Sequence, residues 1–107
     1  MGDTGTTLLV AESAEGLLGL ALLMTRPPST FAGAISRTAV EIDKLVVRED
    51  QRRRGIGKLL LAEAMKWVRL RRATHVEVVV HDVNVNALSF YKAFGFEPST
   101  SRLVLAV

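Results

Sequence analysis

The run Arg52-Arg53-Arg54-Gly55-Ile56-Gly57-Lys58 has the residue types and spacing of an anion-binding loop. It follows the apolar Leu45-Val46-Val47 and opens a long amphipathic segment, so it sits where a strand gives way to a helix. Glycines at 55 and 57 remove side chains that would hold a ligand away from the backbone. The first amides of a helix have no intrahelical acceptor and carry the positive end of its dipole. Such a loop suits a phosphate or pyrophosphate. Arg52, Arg53 and Arg54 add long-range attraction for an anion.

Three further side chains have proton chemistry. Tyr91, the single tyrosine, titrates near ~10 when free, so it is protonated at neutral pH and able to act as an acid. The competing reading makes it a packing partner of Phe90. Glu41 and Asp43 stand two residues apart in a strand, and alternation puts both carboxylates on one face. Either can take a proton directly or through water, but a carboxylate near its usual ~4.3 is a poor base unless burial raises it. His81, beside Asp82, and His75 read as surface histidines. Two histidines are too few for a metal cluster, and the absence of cysteine excludes disulfides and thiolate catalysis.

The elements that must position these groups follow from periodicity. Thr6 to Glu12 and Leu17 to Thr25 read as strands joined by the turn Ser13-Ala14-Glu15-Gly16, a hairpin pattern. Arg26 to Ser36, with Pro27, Pro28 and Gly33, reads as a projecting loop. Thr38 to Val47 is a third strand whose consecutive apolar end fits a sheet covered on both faces. Gly57 to Arg72 is helical. Its apolar stripe is Leu60, Leu61, Ala64, Met65, Trp67 and Val68, opposite Lys58, Glu63, Lys66 and Arg69. Trp67 reads as core, and the arginines from 69 to 72 as a solvated helix end that suits the negative pole of the dipole. Thr74 to Asp82 is a fourth strand with Val78-Val79-Val80 buried at its centre, which completes a βαβ unit of right-handed crossover. Asn84 or Asn86 caps a second helix that stops at Gly95, and Ser101 to Val107 supplies a last strand. The fold class is α/β with a mixed sheet, in one domain over residues 1–107.

Composition narrows the function classes. The chain is 49% hydrophobic, as a folded globule should be. Its net charge is +3, with the excess near Arg52 and Arg69. No aromatic residues interleave with those arginines and no lysine-rich tail is present, so a nucleic-acid-binding module is the minor alternative. Leu17 to Met24 is too short to span a bilayer, and no basic flank or cleavage signal of a secretory peptide accompanies it. Met1-Gly2 with Thr6 matches the N-myristoylation pattern only as loosely as chance allows. The expectation is a cytoplasmic protein without a membrane partner.

The strand, the Arg52-x-x-Gly55-x-Gly57 loop and the helix after it resemble motif A of the GNAT superfamily of acyl-CoA-dependent N-acyltransferases. Downstream, Asn84-x-x-Ala87-x-x-Phe90-Tyr91-x-x-x-Gly95-Phe96 looks like the superfamily's motif B. The resemblance covers roughly residues 38 to 96. It implies an acetyl-CoA-dependent N-acetyltransferase that moves an acetyl group directly to a primary amine, with no metal. Gly55, Gly57 and Lys58 would then give backbone amides to the pyrophosphate of coenzyme A, with Arg52, Arg53, Arg54 and Ile56 completing the loop. Leu45 and Val47 would pair their backbone groups with the pantetheine arm. Asn84 would hold that arm from the second helix, and Tyr91 would stand near the thioester sulfur. Glu41 occupies the strand position where histone-acetyltransferase-like members carry a general base; Asp43 is the lesser candidate.

The resemblance departs at the front. Typical members begin with a strand and one or two helices that roof the acceptor site, whereas here only a handful of residues precede the first strand. The fold is therefore expected to be N-terminally shortened, with the acceptor pocket open to question. Apolar surface left uncovered would be closed by a second copy, so a homodimer is expected. A non-catalytic acyl-CoA sensor or scaffold of the same fold is the alternative.

Overall fold

In the computed structural model, residues 5–26, 38–81, 83–99 and 103–107 are described. Three strands run in sequence: β1 (Thr6–Ser13), β2 (Gly16–Arg26) and β3 (Ala39–Val47). A short 3-10 turn (Glu49–Gln51) leads into α1 (Ile56–Leu70), then β4 (His75–Val78) and α2 (Val85–Phe94). The sheet order is β1-β2-β3-β4, antiparallel for the first two pairings and parallel for the last. This is the mixed α/β sheet expected. The expected loop from 26 to 36 lies, from residue 27 on, outside the described residues.

Local sequence explains the elements. Gly16, at φ +103, closes the β1–β2 hairpin in a backbone region that other residues rarely adopt. In α1, Leu60, Leu61, Ala64 and Val68 recur at helical spacing and are all buried. They pack on Ala21, Leu23, Val40 and Ile42 of the central strands, with Ile56 and Tyr91 in the same cluster. Each fully buried leucine contributes about 1.5–3 kcal/mol relative to exposure. Trp67 is only half-buried, and the Arg71 guanidinium lies 4.8 Å from its ring centroid, so it is a rim residue carrying a cation rather than pure core.

Two expectations fail at the ends of elements. The fourth strand stops at Val78 instead of reaching residue 82, and Val79 is 74% exposed. The cause lies in β3. Leu22 pairs with Lys44 but Leu23 with Ile42, so Asp43 is an extra residue on β3, a bulge. The β3–β4 ladder ends at Ile42 opposite Val78, directly before that bulge. A bulged strand bends, and β4 loses its partner there. The last strand from 101 to 107 is also absent over residues 103–107, which are exposed and belong to no strand; 101 and 102 lie outside the described residues.

The bulge also reassigns faces. Alternation puts Ala21 and Leu23 toward α1, so their partners Leu45 and Ile42 face the same way despite odd spacing. Leu20, Leu22 and Met24 face the other side, together with Leu8, Val10, Glu41, Lys44 and Val46. Among these, Leu8 is 56% exposed and Val46 49%. Asp43, as the bulged residue, does not share a regular face with Glu41, which corrects the expectation from simple alternation.

Candidate functional site

The loop begins with a rigid anchor. Arg48 forms a two-pronged pair with Asp50, Nε to Oδ1 at 2.6 Å and Nη2 to Oδ2 at 3.0 Å, and its Nη1 donates to the Leu17 carbonyl at 3.2 Å. The Arg48 hydrogen bonds hold the Asp50 carboxyl below its ordinary range. This pins the 3-10 turn to β2. The chain then reverses through Arg53 at φ +65 and Gly55 at φ +81, two left-handed residues separated by one. Arg52 Nε reaches the Val47 carbonyl at 3.4 Å, and Arg54 Nη1 donates to Gln51 Oε1 at 3.2 Å.

Helix α1 starts with open donors. Its first backbone bond runs from the Leu59 N–H to the Gly55 carbonyl at 3.0 Å. The N–H groups of Ile56, Gly57 and Lys58 therefore have no backbone acceptor among the described residues. Three such donors at a helix start, following a left-handed turn, form a concave anion site. Ile56 contributes only its amide, because its side chain is buried in the core. Lys58 is exposed. A Cβ on Gly57 would lie 3.5 Å from the Phe90 ring and 3.7 Å from Val47 Cγ2, both ordinary contacts. Gly57 is thus where α1, α2 and the end of β3 meet.

The second feature is the free edge of β3. The Arg48 N–H donates to the Leu18 carbonyl at 2.8 Å, which directs the backbone groups of Arg48 and, by alternation, Val46 toward β2. Leu45 and Val47 therefore turn their N–H and C=O groups the other way. Beyond Ile42 no described strand covers that side. The split between β3 and β4 leaves an extended ligand an edge to pair with, running toward the anion loop.

The groups with proton chemistry lie on β3, β4 and α2 and in the segment between the last two. Tyr91 is 8% exposed and makes edge-to-face contacts with Phe90 at 5.2 Å and Phe96 at 5.3 Å. Its hydroxyl has no hydrogen-bond partner among the described residues, yet it is not sealed from solvent. Burial pushes its pKa above the ordinary tyrosine value. Glu41, on the face away from α1, is ion-paired with Arg26 of β2. Asp43 is exposed on the bulge. The Asn84 side chain caps α2, its Oδ1 accepting from the Ala87 N–H at 3.1 Å, which leaves its amide nitrogen and the second lone pair of Oδ1 for a ligand. His81 and His75 are exposed, and Thr74 Oγ1 lies 2.7 Å from His75 Nδ1.

Sequence reasoning missed three residues here. Glu77 sits opposite Glu41 in the parallel register, which only strand pairing reveals. Arg26 is brought to Glu41 by the β2–β3 ladder. Gln51 is buried at 6% exposure, and a lone glutamine in a polar stretch gives no sequence signal. Among the described residues no group of three or more histidines and carboxylates could hold a metal, and no helix is long and apolar enough to cross a membrane.

A mixed sheet that splits beside an amide-rich, basic loop defines a fold able to hold an extended ligand with an anionic end. The sequence matches the model of the Acetyltransferase (GNAT) family over residues 2–96, and the chain belongs to that family. It is 36% identical over 77 residues to an L-ornithine N5-acetyltransferase of Arabidopsis thaliana, covering 72% of this chain and 32% of the relative. It is 39% identical over 61 residues to an uncharacterised N-acetyltransferase of Methanocaldococcus jannaschii, covering 57% and 27%. The chain thus spans about a third of the length of these curated relatives. Its fold matches a mutant Bacillus halodurans protein with TM-score 0.90 at 22% identity, covering 97% of this chain and 67% of the other. An aminoglycoside N-acetyltransferase crystallised with CoA matches with TM-score 0.81 at 21% identity, covering 98% and 77%.

Proposed function

We propose that the chain is an N-acetyltransferase that takes acetyl-CoA as cosubstrate and passes the acetyl group directly to a primary amine. The observation that carries this reading is the continuity of the β3 edge at Leu45 and Val47, which no described strand pairs and where only the Val47 carbonyl meets a side chain, that of Arg52, with the open amides of Ile56, Gly57 and Lys58. An extended thioester with a pyrophosphate end needs both features, in that order. The CoA held by the fold relative supports the same reading. Arg53, without a partner among the described residues, adds charge for the phosphates.

Tyr91 faces the departing sulfur in this reading. Burial raises it above ~10, whereas a thiol titrates near ~8.5. Complete proton transfer from Tyr91 to a free thiolate is then uphill by at least ~2 kcal/mol. Its role is to donate a hydrogen bond to sulfur as negative charge develops, when that bond is strongest. Glu41 is the base of this reading, taking the proton lost by the attacking amine directly or through water, and its ion pair with Arg26 must open for it to do so. A lysine-like amine near ~10.4 is neutral in only roughly one molecule in a few thousand at pH 7, so it depends on that base far more than an α-amine near ~7.7–8.0. The acceptor class is a cationic small amine, as the ornithine and aminoglycoside relatives suggest. Glu41 and Glu77 present carboxylates at the split for such a cation.

A homodimer and a cytoplasmic location belong to the same proposal. The apolar face carrying Leu8, Val10, Met24 and Val46 is the surface a second copy would cover. Sedimentation velocity with and without acetyl-CoA tests this; a monomer under both conditions that still acetylates amines refutes the dimer. The activity itself is tested by thiol release from acetyl-CoA against a panel of small amines. Amine-dependent release supports the transferase. Tight CoA binding without turnover on any amine would instead favour the non-catalytic sensor.

A further inference from the structure

We propose that Gln51 is a positioning residue for the anion loop, orienting the Arg54 guanidinium toward the ligand through a neutral acceptor that itself cancels none of its positive charge. The inference rests on the acyl-CoA reading for the ligand's identity but not for the loop's affinity for pyrophosphate. Gln51 is the one buried polar residue among those described, at 6% exposure. Its backbone N–H donates to the Arg48 carbonyl at 2.9 Å, and Arg48 is itself fixed by Asp50 and the Leu17 carbonyl. Its Oε1 accepts from Arg54 Nη1 at 3.2 Å. The acceptor is therefore mounted on the most heavily tied turn in the loop.

The choice of an amide has a chemical consequence. A carboxylate at this position would hold the guanidinium more strongly but cancel its charge, leaving little attraction for a phosphate. An amide oxygen fixes direction at no cost in charge, and a guanidinium has five N–H donors, so most remain for a ligand. Side-chain entropy lost on binding is also smaller when the arginine is already held. The three loop arginines thus divide the work. Arg52 is turned to the Val47 carbonyl, Arg54 is aimed by Gln51, and Arg53 has no partner among the described residues.

Calorimetric titration with CoA and with inorganic pyrophosphate, at two salt concentrations, tests this on four variants, Arg54→Gln alone among them, whose melting is checked first. Gln51→Met keeps shape and burial but removes the acceptor; we expect about five- to tenfold weaker binding, or ~1–1.4 kcal/mol. Its loss should appear in KM for acetyl-CoA with kcat at saturation unchanged. Gln51→Glu keeps the acceptor but neutralises the charge, so affinity should fall further and depend less on salt. In an Arg54→Gln background, Gln51→Met should have no added effect, since the two act as one unit. Wild-type affinity in Gln51→Met, or additive losses in the double variant, would overturn the proposal. If the wild type binds pyrophosphate but not CoA, the acyl-CoA reading falls and Gln51 is judged on pyrophosphate alone. Binding of neither defeats both.

Discussion

Gly55→Ala and Arg53→Gly, opposite exchanges at two left-handed positions of the loop, should move stability in opposite directions. Gly55 sits at φ +81, and a Cβ built there meets nothing within 4 Å. Gly55→Ala is therefore opposed by backbone conformation alone, at roughly 1–2 kcal/mol. Alanine returns about 0.5–1 kcal/mol by restricting the unfolded chain. The net loss is about 1 kcal/mol, a drop in Tm of roughly 4–8 °C for a domain near this size. Arg53 sits at φ +65 with no hydrogen bond or ion pair to a described residue. Arg53→Gly relieves the same strain and loses nothing in the folded state, so Tm should rise by up to a similar amount. Ligand affinity should fall in both variants: a methyl group intrudes beside the amides in one, and in the other a free guanidinium is lost. That charge is exposed and contributes no more than ~1 kcal/mol, or about fivefold in Kd. Thermal melts followed by circular dichroism, then calorimetry with CoA, read both effects. An unchanged or higher Tm for Gly55→Ala would refute the left-handed loop from which the anion site is argued.

Tyr91→Phe keeps both ring contacts and breaks no hydrogen bond to a described residue, so Tm should hold while kcat falls by roughly 10² or more; full activity returns Tyr91 to packing. Because burial raises the Tyr91 pKa, the hydroxyl keeps its proton through the neutral and mildly alkaline range. Any alkaline loss of activity due to Tyr91 should lie above ~10, and a loss that begins below this and vanishes in Tyr91→Phe would contradict the shift. Glu41→Gln should flatten the acidic limb of the kcat/KM profile; an unchanged limb points to Glu77, Asp43 or water as the proton acceptor.

Much of the fold was legible because its cues are local. The hairpin turn at Gly16, the apolar stripe of α1 and the Asn84 cap of α2 each depend on neighbours a few residues apart. The loop was legible too, since glycine spacing before a helix has a direct backbone meaning. What failed depends on distant pairing. The bulge at Asp43 arises from register with β2, and it ends β4 at Val78 although Val79 and Val80 continue the same β-branched run. Strand propensity could not extend β4 past the point where β3 turns away. Glu77, Arg26 and Gln51 were invisible for the same reason, because their roles come from partners across the sheet or from burial. The apolar run at 103–107 has strand propensity without a partner strand.

Direct transfer is tested most plainly by a single-turnover quench with acetyl-CoA carrying an isotopic label in the acetyl group. The enzyme is in excess over the thioester, a competent amine from the panel is present, and both intact protein and small molecules are weighed by mass spectrometry over time. The label should pass from thioester to amine, free thiol should appear at the same rate, and the protein mass should never change. A labelled enzyme that forms and decays at the rate of product formation would contradict it.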